Sequence, residues 1–137
     1  MTQGFQCPIC GFGLWHPIGA LKVSHLGLYD DARFPGRCIL SLNDHAEHWE
    51  ELDPSLLHDF VDDSRTAISA IRGATGAQRV NLAVLGNTDP HIHFHLIPRS
   101  PSTEPNPMKS PWSDPRKQEQ LPPGTVSELI SLIADFL

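Results

Sequence analysis

His91-Ile92-His93-Phe94-His95-Leu96-Ile97 decides how this chain is read. In an extended strand alternate side chains share a face, so His91, His93 and His95 stand on one side while Ile92, Phe94 and Leu96 stand on the other. An isolated strand histidine is usually a satisfied polar residue. Three in strict alternation are a different object, because imidazoles packed on one face repel each other when protonated. That repulsion lowers their pKa values and keeps some of them neutral near pH 7. Neutral imidazole is both a nucleophile and a metal ligand.

Working outward, the histidine strand is read as His91 to Pro98, and Gly86-Asn87-Thr88-Asp89-Pro90 is a dense turn before it. Val80 to Leu85 reads as the strand on the other side of that turn, and two strands joined so closely should pair antiparallel. Arg37 to Leu42 has the length and apolar content of a buried strand, opened by the turn Pro35-Gly36. A short linker bearing His45 and His48 leads to Asp53-Pro54, which starts a helix with Asp53 as cap and Pro54 at the first helical position. Leu56, Leu57, Phe60, Val61, Ala67, Ile68 and Ile71 recur at helical spacing, and the helix is expected to end near Gly73. Residues 12–30 carry only a weak pattern.

Beyond the histidines, residues 100–123 hold seven prolines and few large apolar side chains, so they cannot continue a sheet interior and should wrap the surface as a loop. Thr125 and Glu128 then stand at capping-box spacing before Val126, Leu129, Ile130, Leu132, Ile133 and Phe136, which predicts a second helix over 125–137.

At 137 residues the chain fits one domain, 1–137, with strands and helices mixed. It holds no long apolar run and no basic leader followed by an apolar stretch, so the expectation is a cytoplasmic protein without membrane partners. A net charge of −6 argues against a nucleic-acid partner, since gripping a phosphate backbone needs a basic surface. Eight acids without a Lys or Arg between Asp44 and Asp63 read as a solvated face.

The cysteines are three, an odd number, and Cys7-Pro8-Ile9-Cys10-Gly11 makes a tight knuckle that points two sulfurs the same way. Cys-x-x-Cys is half of a zinc site and lacks two ligands, for which the chain's eight histidines are the candidates. A redox pair is the rival reading, weakened by the absence of a following helix signal. Cys38 reads as core.

His91-Ile92-His93-Phe94-His95-Leu96-Ile97 matches the His-φ-His-φ-His-φ-φ signature, φ being apolar, and on it the chain resembles the histidine-triad (HIT) superfamily of nucleotide hydrolases and transferases. The resemblance runs from about Cys7 to Arg99 and extends to bacterial hydrolases of the diadenosine tetraphosphate hydrolase kind with an N-terminal zinc knuckle. It implies an α+β fold, an antiparallel sheet with flanking helices, as a homodimer joined edge to edge. It also implies attack by His93 on an α-phosphorus to form a nucleotidyl-histidine, with His95 contacting phosphate and helping the leaving group.

By the same resemblance Asn87 would hold phosphate oxygens, although it is equally a Gly-Asn turn former, and Asp30 or Asp31 would hold ribose hydroxyls. The loop before the triad is shorter than in many relatives. Arg37 stands where many members have a histidine that orients the triad, and it could pair with phosphate or with an acid. The zinc site would be completed by His91 and His45, with His48 as the alternative and His16 and His25 behind it, and would be structural. A uridylyltransferase-like activity is the second functional reading, opposed by His95 where that branch carries Gln. A non-catalytic nucleotide-binding module is the third.

Overall fold

The apolar half of the histidine strand is buried as its alternation requires. Phe94 stacks on Phe60 with ring centroids 4.3 Å apart, and Leu96 beside it is fully buried. The computed structural model that shows this describes residues 5–137; the first four residues of the expected 1–137 domain lie outside them. The strands are β1 His16–Ala20, β2 Ser24–Leu28, β3 Cys38–Leu42, β4 Arg79–Ala83 and β5 His93–Arg99. They form one antiparallel sheet in the order β1-β2-β3-β5-β4. Two helices, α1 Pro54–Thr75 and α2 Pro123–Phe136, complete an α+β architecture.

Strand alternation divides the sheet into two surfaces. Leu26, Leu40, Leu42, Phe94 and Leu96 share a core with Phe60, Ala67 and Ile71 of α1 and Val126, Leu129 and Ile133 of α2. On the other surface Ser41 and Ile39 of β3 stand opposite His93 and His95 of β5. The helices therefore brace one side, and the imidazoles stand on the side the helices leave open.

Several boundaries differ from the sequence expectation. The weakly patterned residues 12–30 contain the hairpin β1–β2, whose turn is tied to α1 by buried Asp63. Its carboxylate accepts from the backbone N–H groups of Lys22 and Val23 and from the Ser24 hydroxyl. Helix α1 runs past Gly73 to Thr75; a side chain at position 73 would meet the Phe136 ring at 2.6 Å, so that glycine serves helix packing rather than termination. The helix stops at Gly76, which takes the left-handed conformation with φ 72°.

Asp53 occupies the N-cap of α1 without a side-chain cap bond, and Val61 is 40% exposed, outside the buried stripe. Helix α2 begins at Pro123, where the Pro122 carbonyl accepts from Thr125 and Val126, so Thr125 sits inside the helix and forms no capping box. Strand β5 starts at His93, because the backbone before it is bonded through Ile92 to Ala46 and Leu42 on either side of His45. Among the described residues no helix is long and apolar enough to cross a membrane.

Candidate functional site

His93 and His95 line a cavity of about 490 Å³ on the open side of the sheet, within the range of small-molecule sites. Its walls come from the Phe12–Trp15 segment, the end of β2, the turn before β5, and Trp112 of the Pro-rich tail.

The two imidazoles are held in opposite ways. His93 Nδ1 lies 2.7 Å from the His91 carbonyl oxygen. A carbonyl only accepts, so Nδ1 carries the hydrogen, and in the neutral ring the lone pair is on Nε2. His95 Nδ1 lies 3.3 Å from Nη2 of Arg37. A guanidinium only donates, so here Nδ1 is the acceptor and the neutral ring carries its hydrogen on Nε2. Burial, then the nearby charges of His93 and Arg37, bring the His95 pKa down to about 4, which keeps the ring neutral at physiological pH.

Arg37 is itself buried. Its Nη1 donates to Asp31 at 2.9 Å, its guanidinium lies 3.9 Å from the centre of the Tyr29 ring, and its Nε has no partner among the described residues. Asp31 also accepts three bonds from Arg33, through the backbone N–H, Nε and Nη2. Against the cost of burying that carboxyl, these arginines hold its pKa below the usual range.

The two acids expected at the ribose are both engaged inside the protein. Asp31 is fully buried and saturated by two arginines, while Asp30 accepts from the Leu121 backbone N–H and meets His16 Nε2 at 3.2 Å. Neither acid lines the cavity. Asn87 does, with Thr88 and Asp89 in the same exposed turn, and so does Arg37.

Beside this cavity Cys7, Cys10, His45 and His91 bring four ligand atoms within 4.8 Å of one another. Cys7 Sγ is 3.6 Å from His45 Nδ1 and Cys10 Sγ is 3.5 Å from His91 Nδ1. With metal–sulfur bonds near 2.3 Å and metal–nitrogen bonds near 2.05 Å, a tetrahedral zinc site has a sulfur–nitrogen edge of about 3.6 Å. The donor set and its spacing therefore fit a closed four-coordinate site.

The outer partners fit as well. His91 Nε2–H donates to the Leu42 carbonyl at 2.6 Å, and His45 Nε2 faces Glu47 at 3.3 Å, leaving each Nδ1 free to ligate. Burial raises the Cys7 thiol, but hydrogen bonds from the backbone of Cys10 and Ile9, from the Cys10 side chain and from His45 bring it down to about 6, toward the thiolate that binds metal. His48, the alternative fourth ligand, is outside the group, as are His16, paired with Asp30, and His25, bonded to Asn43. Cys38 is fully buried, and burial pushes its thiol up.

Sequence reasoning did not find Tyr29, on which Arg37 rests, or the aromatic segment Phe12–Trp15. Only the aromatic side chains themselves mark these positions. Trp112 stands edge-on to His95 at 5.4 Å, so the Pro-rich tail does more than wrap the surface: it supplies a wall of the site.

Residues 18–102 match the HIT domain family. A histidine triad (HIT) protein from Sinorhizobium meliloti is 27% identical, with a TM-score of 0.80 over 89% of this chain and 89% of its own. At greater distance the fold is shared with a diadenosine triphosphate hydrolase from Plasmodium falciparum, at 16% identity and a TM-score of 0.61 over 99% of this chain and 85% of that one. It is also shared with a Zn-bound histidine triad family protein from Mycobacterium smegmatis, at 15% identity and a TM-score of 0.60 over 87% and 84%.

Proposed function

The chain belongs to the HIT domain family, and on that premise we propose that it hydrolyses a dinucleoside polyphosphate or a nucleoside phosphoramidate at the α-phosphate, with His93 as the nucleophile. The observation that carries this reading is the His93 tautomer: with Nδ1–H donated to the His91 carbonyl, the neutral imidazole has its lone pair on Nε2, in a buried ring that lines a nucleotide-sized cavity. In the first step Nε2 bonds to phosphorus while the bond from phosphorus to the leaving oxygen or nitrogen breaks. The leaving group carries off the electron pair and takes a proton. In the second step water attacks phosphorus, Nε2 departs, and a nucleoside monophosphate is released.

His95 supports both steps as a neutral donor, its Nε2–H available to a non-bridging oxygen or to the leaving group. Arg37 places a fixed positive charge behind His95, and Asn87 with its turn offers polar groups to phosphate oxygens. Transfer to an acceptor other than water would share the first step; His95, where the uridylyltransferase branch has Gln, favours water.

The cluster of Cys7, Cys10, His45 and His91 holds zinc as a structural ion, since four protein ligands leave no position open for water. The assembly is a homodimer, for which β4 offers a free sheet edge with Leu82 exposed; light scattering in solution tests this directly.

The deciding experiment incubates the protein with diadenosine tetraphosphate and with adenosine phosphoramidate, then measures intact mass after denaturation. A nucleotidyl adduct is expected on the wild type and none on His93→Ala, which should still bind AMP. Wild-type protein that neither turns over these nucleotides nor carries an adduct would overturn the reading. Metal analysis should find zinc in the wild type and lose it in Cys7→Ser.

A further inference from the structure

The knuckle carries a residue with no role in metal binding or in the chemistry described so far. The chain reverses at Gly11, whose φ of +79° suits glycine. The loop is closed by bonds from the Gly11 N–H to the Cys7 carbonyl, 2.9 Å, and from the Cys7 N–H to the Phe12 carbonyl, 2.8 Å. Phe12 emerges from this reversal over the open face of the sheet. Its ring lies nearly parallel to His91, 5.2 Å away at 9°, and to His93, 4.7 Å away at 24°.

We propose that Phe12 is a positioning residue for the nucleophile and that the Cys7–Cys10 knuckle is the mount that carries it. The inference rests on the reading of His93 as the attacking group. The bond from Nδ1 to the His91 carbonyl anchors one edge of the His93 imidazole, but a single hydrogen bond leaves the ring free to rock about it. A flat contact on the ring face removes that freedom. Among the described residues no other ring stacks on it: His95 meets His93 edge-on at 5.1 Å, and Ser41, its cross-strand partner, turns its hydroxyl to the Leu42 carbonyl.

His91 ties the mount to the nucleophile a second time. Its Nδ1 faces Cys10, and its carbonyl accepts from His93. One end of the cavity therefore fixes both the edge and the face of the attacking ring. This matters because a displacement of about 1 Å at a reacting atom can cost about 10²-fold in rate.

The test uses the full-length, metal-loaded protein with Phe12→Leu, which keeps apolar bulk and removes the flat face, and Phe12→Tyr, which restores it; Phe12→Ala is the more severe companion. Nitrogen-15 NMR of the His93 ring reads the tautomer without any substrate. The wild type and Phe12→Tyr should show a single Nδ1–H form, whereas Phe12→Leu and Phe12→Ala should show averaged ring nitrogens with the metal content unchanged. Cys10→Ser, which releases the mount, should reproduce the averaged pattern.

In turnover, Phe12→Leu should lose about 10- to 100-fold in kcat with little change in affinity for AMP, and Phe12→Tyr should recover most of it. Unaltered His93 resonances in both Phe12→Leu and Phe12→Ala, or a loss confined to KM, would overturn the proposal. A wild-type protein that forms no nucleotidyl adduct would sink the hydrolase reading instead, and the NMR comparison would still decide the role of Phe12.

Discussion

The knuckle end and the arginine end of the cavity each take hold of one imidazole by its Nδ1, and they do so with opposite polarity. At the knuckle end a backbone carbonyl accepts from His93 and leaves a lone pair on Nε2. At the other end Arg37 donates to His95 and leaves a hydrogen on Nε2. Two chemically identical side chains, separated by Phe94, thereby present opposite faces of Nε2 chemistry, a lone pair and a hydrogen, as the proposed parts of nucleophile and donor require. The lesson is that the histidine pattern alone does not assign roles: the second partner of each ring does.

The largest expected effect breaks this asymmetry directly. His93→Ala should abolish adduct formation and lower kcat by at least about 10³-fold, since the unprotonated Nδ1 of the other cavity imidazole, His95, is engaged by Arg37. His95→Ala should cost about 10² to 10³-fold in kcat, the scale of losing one transition-state donor, while the adduct on His93 still forms. Equal loss of the adduct in both variants, read by intact mass, would show that the two rings are not differentiated as their partners imply.

The arginine end has its own test in stability. Asp31 is fully buried and accepts from both Arg33 and Arg37, so Asp31→Ala leaves a buried guanidinium without its counter-charge. Breaking a buried pair from one side costs about 3 to 5 kcal/mol, which urea unfolding would register. A loss below about 1 kcal/mol would mean that solvent or a neighbour takes over the charge. The knuckle end should respond to chelation instead, with a Tm lowered by several degrees as the ligands holding it are released.

How much of this was readable from residues follows from which signals are local. The period-two alternation of His91 to Ile97 carries both burial and chemistry, so the sheet face and the facing pair His93 and His95 could be read together. Cys7 and Cys10 declare themselves by spacing; that His45, His91 and the two sulfurs meet depends on β3 and β5 lying side by side, which no local pattern shows. Asp30 and Asp31 are singled out for ribose by resemblance alone, and a sequence does not display the burial and internal partners that the structure gives each carboxylate. The hairpin β1–β2 was weak because Pro17, Gly19 and Gly27 interrupt its apolar pattern. Gly27 is required where a side chain would come within 2.8 Å of the Leu14 Cβ, so what breaks the signal is the close approach that builds the cavity wall. Asp53 and Thr125 fit capping rules by position, yet the prolines beside them already start the helices.

The smallest effect is the most specific to the arginine end. His95 has its pKa brought down to about 4, by burial first and by the charges of His93 and Arg37 after it. An unfolded imidazole titrates near 6.5, so between these values the unfolded chain binds a proton that the folded ring refuses. The stability associated with keeping His95 neutral is therefore complete above about pH 6.5 and is lost progressively as pH falls toward about 4. NMR titration should place the His95 midpoint near 4, and His95→Gln should flatten the stability profile within that window. Arg37→Met keeps bulk over the ring but removes the charge, and because burial is the larger cause the midpoint should rise only part of the way toward 6.5. A return to the ordinary value in that variant would move the origin of the shift from burial to the guanidinium. The contrast between the two ends would then be one of charge rather than of enclosure.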